Sequence, residues 1–250
     1  MATVNETDLD LAGETFSILE HLNELRVRLT WAAGGIAVGT VISFLISVQI
    51  LELLLQPYGG QLQTLSPTEG LETFFRVAFA SGIIMSMPFT VYQMWLFIEP
   101  ALTKPEKRYV FIFFPVTLGL FALGVWFAWQ ILVPAAVNFL SDFLPEIFVA
   151  EWTGQEYIDF IMTMILWLGL SFEMPVIFYF VGRFGLMTAK TLADQWRYAV
   201  IGVAVLAAAI TPSIDPITML LTMAPLLILF FVSIGTTKLG QRQFERSMTY

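Results

Sequence analysis

Six long stretches of this 250-residue chain carry almost no charge, and that constrains the fold more than any other feature. They lie between Arg28 and Glu52, between Arg76 and Glu99, after Arg108, between Asp159 and Arg183, between Arg197 and Asp215, and between Asp215 and Lys238. At a rise of about 1.5 Å per residue, about 20 residues cross the hydrocarbon of a bilayer. The first four runs are long enough. The run after Arg108 is too long for one crossing if it continues to Asp142, so it is expected to end before Pro134. The fifth and sixth share the tight turn TPSIDP and are short, and that hairpin is expected to sit shallow or to thin the bilayer locally. The fold class this pattern specifies is an all-α integral membrane protein of six transmembrane helices, the last two spans short.

Composition narrows the chemistry. Only 13% of residues are charged and 57% are hydrophobic, whereas a soluble domain is nearer a quarter charged. The absence of cysteine rules out disulfides, thiol nucleophiles and cysteine metal sites, and a single histidine rules out histidine-rich ones. No metal or cofactor is expected. Gly169-Leu170-Ser171 hints at an intramembrane serine, but His21 is the only histidine and lies in a different compartment from it. There is no glycine-rich phosphate loop and no HExxH, so the chain does not read as an enzyme. Nor does its acidic balance suggest a nucleic-acid partner.

Six spans place both termini on one side, and the basic residues decide which. Arg26, Arg28, Lys104, Lys107, Arg108, Arg183, Lys190, Arg197, Lys238, Arg242 and Arg246 fall on that side, and only Arg76 on the other. Cationic loops mark the cytoplasm, so both termini are expected there. Glu52, Glu69, Glu72, Asp142, Glu146, Glu151, Glu156, Asp159 and Asp215 occupy the opposite side.

In order along the chain, 1–15 is acidic and is expected to be disordered and not to be a removable signal peptide. A single membrane domain follows at 16–237. Its first part, 16–28, is an amphipathic interfacial helix with Phe16, Leu19, Leu22 and Leu25 at helical spacing. Spans are expected at about 29–50, 72–97, 109–132, 157–182, 197–212 and 216–235, with a cytoplasmic tail at 238–250. Before the second span, Ser66-Pro67-Thr68-Glu69 reads as a capping box with proline at the first helical position.

Three acids stand out. Glu173, in GLSFEMPV, lies near mid-bilayer, where a charge costs about 2.5–3.5 kcal/mol on insertion scales. It is either a neutral acid bonded to a neighbouring span or a polar point facing a cavity or partner. Pro175 frees carbonyls in the preceding turn that share that role. Glu24 and Glu106 each sit in a short cationic segment. Either they make exposed pairs of little worth with Arg26, Arg28, Lys107 or Arg108, or they bind a cationic segment of another protein. Pro57, Pro88, Pro100, Pro115 and Pro225 read as kinks and breaks, and Arg76 as a snorkelling end residue.

HLNELRVRL (His21–Leu29), LSPTEG, PFTVYQMWLFIEPALTKPEKR (Pro88–Arg108) and GLSFEMPV resemble the motifs of the TatC family, the polytopic core of the twin-arginine protein translocase, from about Phe16 to Gly235. The resemblance implies a receptor for twin-arginine signal peptides that moves folded proteins with the proton motive force, multi-pass in the plasma (inner) membrane. It implies that Glu24 and Glu106 hold the paired arginines, with Phe97 of the FIxPAL motif and Arg26 of the HLxELR motif beside them. It matches Pro57, Arg76 and the intramembrane Glu173 to family positions, and Pro88 and Pro100 fall within the third motif. It further implies single-span partners of the TatA and TatB type, other TatC copies and membrane lipid. The single-span partners are expected at the hairpin carrying Thr211, Asp215, Thr218, Met219 and Thr222. Two positions depart from the family. Glu99 stands where many members carry a small neutral residue, and it either enlarges the acidic site or pairs with Lys104. Met219 replaces a glutamine of some members, with Thr218 and Thr222 as polar substitutes. The competing reading is a small secondary transporter in which Glu173 carries a coupling proton, although no second buried ionisable partner accompanies it.

Overall fold

The computed structural model describes residues 6–99, 107–143, 146–147, 151–211 and 215–248; for 6–20, 107–111 and 247–248 it describes the helical backbone. Among the described residues the chain is helical, apart from loops and one isolated bridge between Gln63 and Thr153. Five segments are long and apolar enough to cross a membrane: His21–Leu45, Glu69–Ile98, Ile112–Ser141, Gly154–Arg183 and Pro216–Arg246. A sixth apolar helix, α9 (Trp196–Ile210), has only 15 residues, about 22 Å against a hydrocarbon thickness of about 30 Å. Its shortness agrees with the uncharged run that encodes it.

The elements otherwise run α1 (Glu6–Leu45), α2 (Ser47–Leu55), α3 (Glu69–Ile98), α4 (Lys107–Phe127), a π turn (Ala128–Leu132), α5 (Val133–Ser141), α6 (Gly154–Ser171), α7 (Met174–Arg183), α8 (Ala189–Asp194) and α10 (Pro216–Met248). Four of these differ from the sequence expectation. α1 begins at Glu6, inside the stretch expected to be disordered, and continues unbroken through the expected interfacial helix. Pro134 does not end the third span. A proline ring crowds the carbonyl four residues back and offers no N–H, and the widened π turn just before it makes the room. α3 starts at Glu69 rather than Pro67, and Thr68, at its N-cap, makes no side-chain cap bond. α10 is not short: its 33 residues pass Lys238 by nearly three turns, because the charged tail prolongs the helix beyond the apolar run.

Two crossings bring backbones into direct contact. Gly39 of α1 meets Gly82 of α3, where a Cβ on Gly82 would lie 2.5 Å from the Cα of Thr40 and one on Gly39 would lie 2.6 Å from the Gly82 carbonyl oxygen. Ser43 and Ser81 share a side-chain hydrogen bond one turn further along. Gly182 of α7 lies against the Thr237 carbonyl of α10, and Gly240 of α10 against the Tyr179 carbonyl of α7. Small residues are used this way in membranes because lipid tails compete with any apolar contact, so helices gain only by close packing.

Between these crossings, α6 passes through the middle. Tyr157, Ile158, Ile161, Met164 and Leu168 are fully buried against Leu54, Val77, Leu132, Val133, Ala207, Ile210 and Leu226. A second cluster, Met87, Val91, Trp95, Phe121 and Val176, lies further along α3. Interior hydroxyls bond carbonyls four residues back in their own helices, as Ser47, Thr211, Thr222, Ser233 and Thr237 do. Val38, Val41, Phe79, Ile201, Val205, Leu220 and Ile228 face outward, an arrangement that costs nothing in hydrocarbon.

Replacing Gly82 with Val is expected to destabilise the purified protein by about 1–3 kcal/mol, the range for overpacked sites. Gly34→Ala, where the added methyl meets nothing within 4 Å, is expected to leave the thermal unfolding midpoint in detergent unchanged or slightly raised.

Candidate functional site

One end of the bundle gathers the basic residues. There the His21 ring of α1 stacks on Phe97 of α3, with centroids 4.5 Å apart and planes inclined by 24°. This contact ties HLNEL to WLFIEP, two motifs far apart in the sequence. Trp95, 1% exposed, anchors that end of α3 against Phe113 of α4 and Phe180 of α7. Glu24 lies three residues beyond His21, so it sits one turn further along α1 and close to the same face. Its Oε1 accepts from Arg28 Nη2 at 3.4 Å, a long contact between side chains about 30% exposed. Such i,i+4 pairs are worth about 0.3–0.5 kcal/mol, so Arg28 does not saturate the carboxylate. Arg26 is exposed and donates to Asn23 Oδ1 at 2.9 Å. Glu99, half-buried, is the C-cap residue of α3, and its N–H donates to the Trp95 carbonyl. Glu106 and Pro100 lie outside the described residues, in the connection between α3 and α4.

Inside the bundle, Glu173 occupies the break between α6 and α7. It is 8% exposed, and its Oε1 has no hydrogen-bond partner among the described residues. Pro175 lies in the first turn of α7, and its carbonyl accepts from Thr236 Oγ1 of α10 at 2.7 Å. The break is therefore held by α10, while the acid keeps an unused acceptor.

The opposite end is acidic and tightly tied. The buried Glu69 accepts from the Leu65 N–H at 2.6 Å and from the Gln155 N–H at 3.1 Å. Gln63 exchanges backbone bonds with Trp152 and Gly154, and its amide donates to Glu151 at 2.6 Å. The Tyr157 hydroxyl donates to the Leu54 carbonyl at 2.8 Å, and Arg76 pairs with Asp159 across α3 and α6. Pro57 lies in the turn after α2, half-buried, and Pro88 sits exposed within an unbroken α3.

Comparison with known proteins gives the family. The sequence model of the family described as Sec-independent protein translocase protein (TatC) matches residues 20–225. The chain belongs to the TatC family. It is 36% identical to the Sec-independent protein translocase protein TatC of Koribacter versatilis, over 88% of this chain and 84% of that one. It is 34% identical to that of Helicobacter pylori, over 88% of both chains. A crystal structure of the twin arginine translocase receptor TatC superposes with a TM-score of 0.81 at 34% identity, covering 89% of this chain and all of that one. TatC membership makes this a multi-pass membrane protein of protein transport, a class of translocase subunits rather than of enzymes.

Not all of the TatC-like positions singled out in the sequence reach the surface. Of the hairpin residues, Thr211 is 3% exposed and Thr218 and Thr222 are fully buried, so these threonines pack inside the bundle. Asp215 and Met219 are half-buried; Asp215 Oδ1 accepts from the Thr218 N–H at 2.6 Å and caps α10. Arg76, read as snorkelling, is instead paired with Asp159. The partners of Glu69 were not legible: the capping-box pattern marks it as a residue reaching back to Ser66, whereas it takes the Leu65 and Gln155 amides. Tyr157 carried no local signal, since its acceptor on Leu54 is far away in sequence. Glu69→Ala would leave two amides without their carboxylate. It is expected to loosen the contact between the 56–68 loop and the start of α6, since both lost bonds are charge-assisted. Faster proteolysis at 56–68 and 142–153, with unchanged cleavage at the basic end, would register it.

Proposed function

We propose that this chain is the twin-arginine signal-peptide receptor and membrane core of a translocase that exports folded proteins on the proton motive force. In this reading it spans the plasma (inner) membrane six times with both termini in the cytoplasm. Its membrane domain is 16–237, with a cytoplasmic tail at 238–250. The observation that carries the reading is the His21–Phe97 stack. It holds the helix bearing Glu24 and Arg26 against the end of α3, from which the chain leads on through Glu99 and Pro100 to Glu106.

The chemistry follows from the donors of the ligand. Each guanidinium presents a planar fork that never loses its charge, and a carboxylate accepts it bidentately. Two guanidiniums require two carboxylates, here Glu24 from a helix and Glu106 from a connection, so recognition depends on the fold as well as on the side chains. Glu24 can exchange its weak contact with Arg28 for a bidentate one. Phe97 offers an aromatic surface beside it, and Glu99 adds a third acid. Lysine pairs make no such fork, and the surrounding cations oppose unspecific basic peptides.

Further roles belong to the same proposal. Glu173 is the interior polar point of the translocation route. Pro57, Arg76 and Pro88 shape the spans and the acidic end, and Pro100 shapes the connection that bears Glu106. Single-span TatA- and TatB-type proteins dock at the α9–α10 hairpin through Met219 and Asp215, with Thr211, Thr218 and Thr222 packing behind them, and further TatC copies and lipid complete the assembly.

Glu106→Gln with Glu24 intact is expected to weaken capture of an Arg-Arg signal peptide by about 1.5–3 kcal/mol, the scale of a charged hydrogen bond. Unchanged binding in detergent would remove Glu106 from the site. A photoreactive group beside the arginine pair is expected to label 16–28 and 95–108; labelling confined to other segments would refute the receptor reading.

A further inference from the structure

At the basic end, away from His21 and Phe97, a cavity of about 420 Å³ opens between α8 and α10. Three cations line it: Lys190 of α8, and Lys238 and Arg242 of α10. Lys238 and Arg242 are four residues apart and share one helix face, where like charges repel. Among the described residues none of the three makes an ion pair. Glu245, the one acid on the lining, accepts from Gln241 Nε2 at 2.9 Å. Gln241 also accepts the Ala189 N–H at 3.1 Å, which fixes the start of α8, and with it Lys190, beside α10. The Gly182 and Gly240 contacts hold α7, and so the chain leading into α8, against the same stretch of α10. The cations are thus gathered by the fold, not merely scattered on a solvated face.

The depth of this cavity identifies the kind of anion. Lys238 is the first charge after the uncharged run that starts at Pro216, so it stands where α10 leaves the hydrocarbon. Ile234, one turn deeper, lines the same cavity, and Phe231, one turn below that, is 58% exposed. A charged mouth above an apolar strip matches an amphiphile better than a soluble anion.

We propose that this cavity binds an anionic phospholipid, its phosphate seated among Lys190, Lys238 and Arg242 and an acyl chain lying along Ile234 and Phe231. Basic pockets beside spans on the cytoplasmic face hold such headgroups, each cation adding to the attraction. The site rests on this end lying at a membrane face but not on the arginine-recognition reading, since it shares no residue with Glu24 or Glu106.

The test uses the full chain in nanodiscs of phosphatidylcholine, with and without phosphatidylglycerol, and reads lipid retention after extraction by native mass spectrometry. Wild type is expected to retain phosphatidylglycerol preferentially. The combined Lys190→Gln, Lys238→Gln, Arg242→Gln variant is expected to lose roughly fivefold or more of that preference. Lys238→Arg, and Arg246→Gln outside the cavity, are expected to keep it. Thermal unfolding in phosphatidylcholine alone, and signal-peptide capture, check that the variants remain folded. Unchanged preference in the triple variant overturns the proposal. So does an equal loss in Arg246→Gln, which would mean diffuse surface charge. Full displacement of the lipid by millimolar inorganic phosphate would mark a soluble-anion site and also overturn it.

Discussion

Backbone contact at glycine is the interaction from which the other features follow. Apolar side chains gain little by leaving lipid for protein, so helix pairs in a bilayer hold together by packing closely enough for dispersion and short polar contacts to act. Gly39 against Gly82 sets the separation of α1 and α3. That separation lets Ser43 reach Ser81 and, several turns away at the basic end, His21 reach Phe97. Gly182 and Gly240 do the same for α7 and α10, and thereby hold the segment that carries Glu173. A side chain larger than hydrogen at these positions would push apart the very motifs that define the candidate site.

Polar groups in the interior divide into two kinds. Ser47, Thr211, Ser233 and Thr237 bond carbonyls of their own helix, which removes the cost of the hydroxyl without tying the spans to one another. Others have no partner among the described residues, the Thr40, Thr73, Thr117 and Thr218 hydroxyls and Glu173 Oε1 among them, and of these Glu173 is the acid and sits at a helix interruption. Between the two ends the character of the bundle changes. The acidic end is cross-linked by Glu69, Gln63, Tyr157 and the Arg76–Asp159 pair, whereas the basic end is held by aromatic contacts and neutral hydrogen bonds, with Arg28–Glu24 as its ion pair among the described residues. A surface that binds charged ligands needs groups not already spent on each other, and the basic end has them.

Much of this was readable along the chain, and the reasons for the exceptions are specific. Uncharged runs located the apolar helices because about twenty residues without charge leave an unmistakable length. They could not show that Pro134 would be absorbed by a π turn, since that depends on how the helix widens locally. Helix within 6–15 and along the tail from Lys238 was not foreseen, because charged stretches can be helical where hydropathy carries no signal. Thr218 and Thr222 looked like contacts for a partner, yet both are buried, since which side of α10 faces outward is set by α7 and α9. Of the candidate site, motif and position singled out Glu24, Phe97 and Glu173 as candidates, but they gave no sign of the His21 stack that joins two of the motifs.

The sequence by itself determined the class of molecule, the number and approximate place of the apolar helices, the separation of charge between the two ends, and the motifs of the TatC family. Each of these is local, written in the length of a run or in neighbouring residues. Only the tertiary structure decided which helices touch at glycine, which acids are already engaged, and which cations stand together without an ion pair among the described residues. Those outcomes depend on distances between residues tens of positions apart, and such distances exist only once the helices have packed.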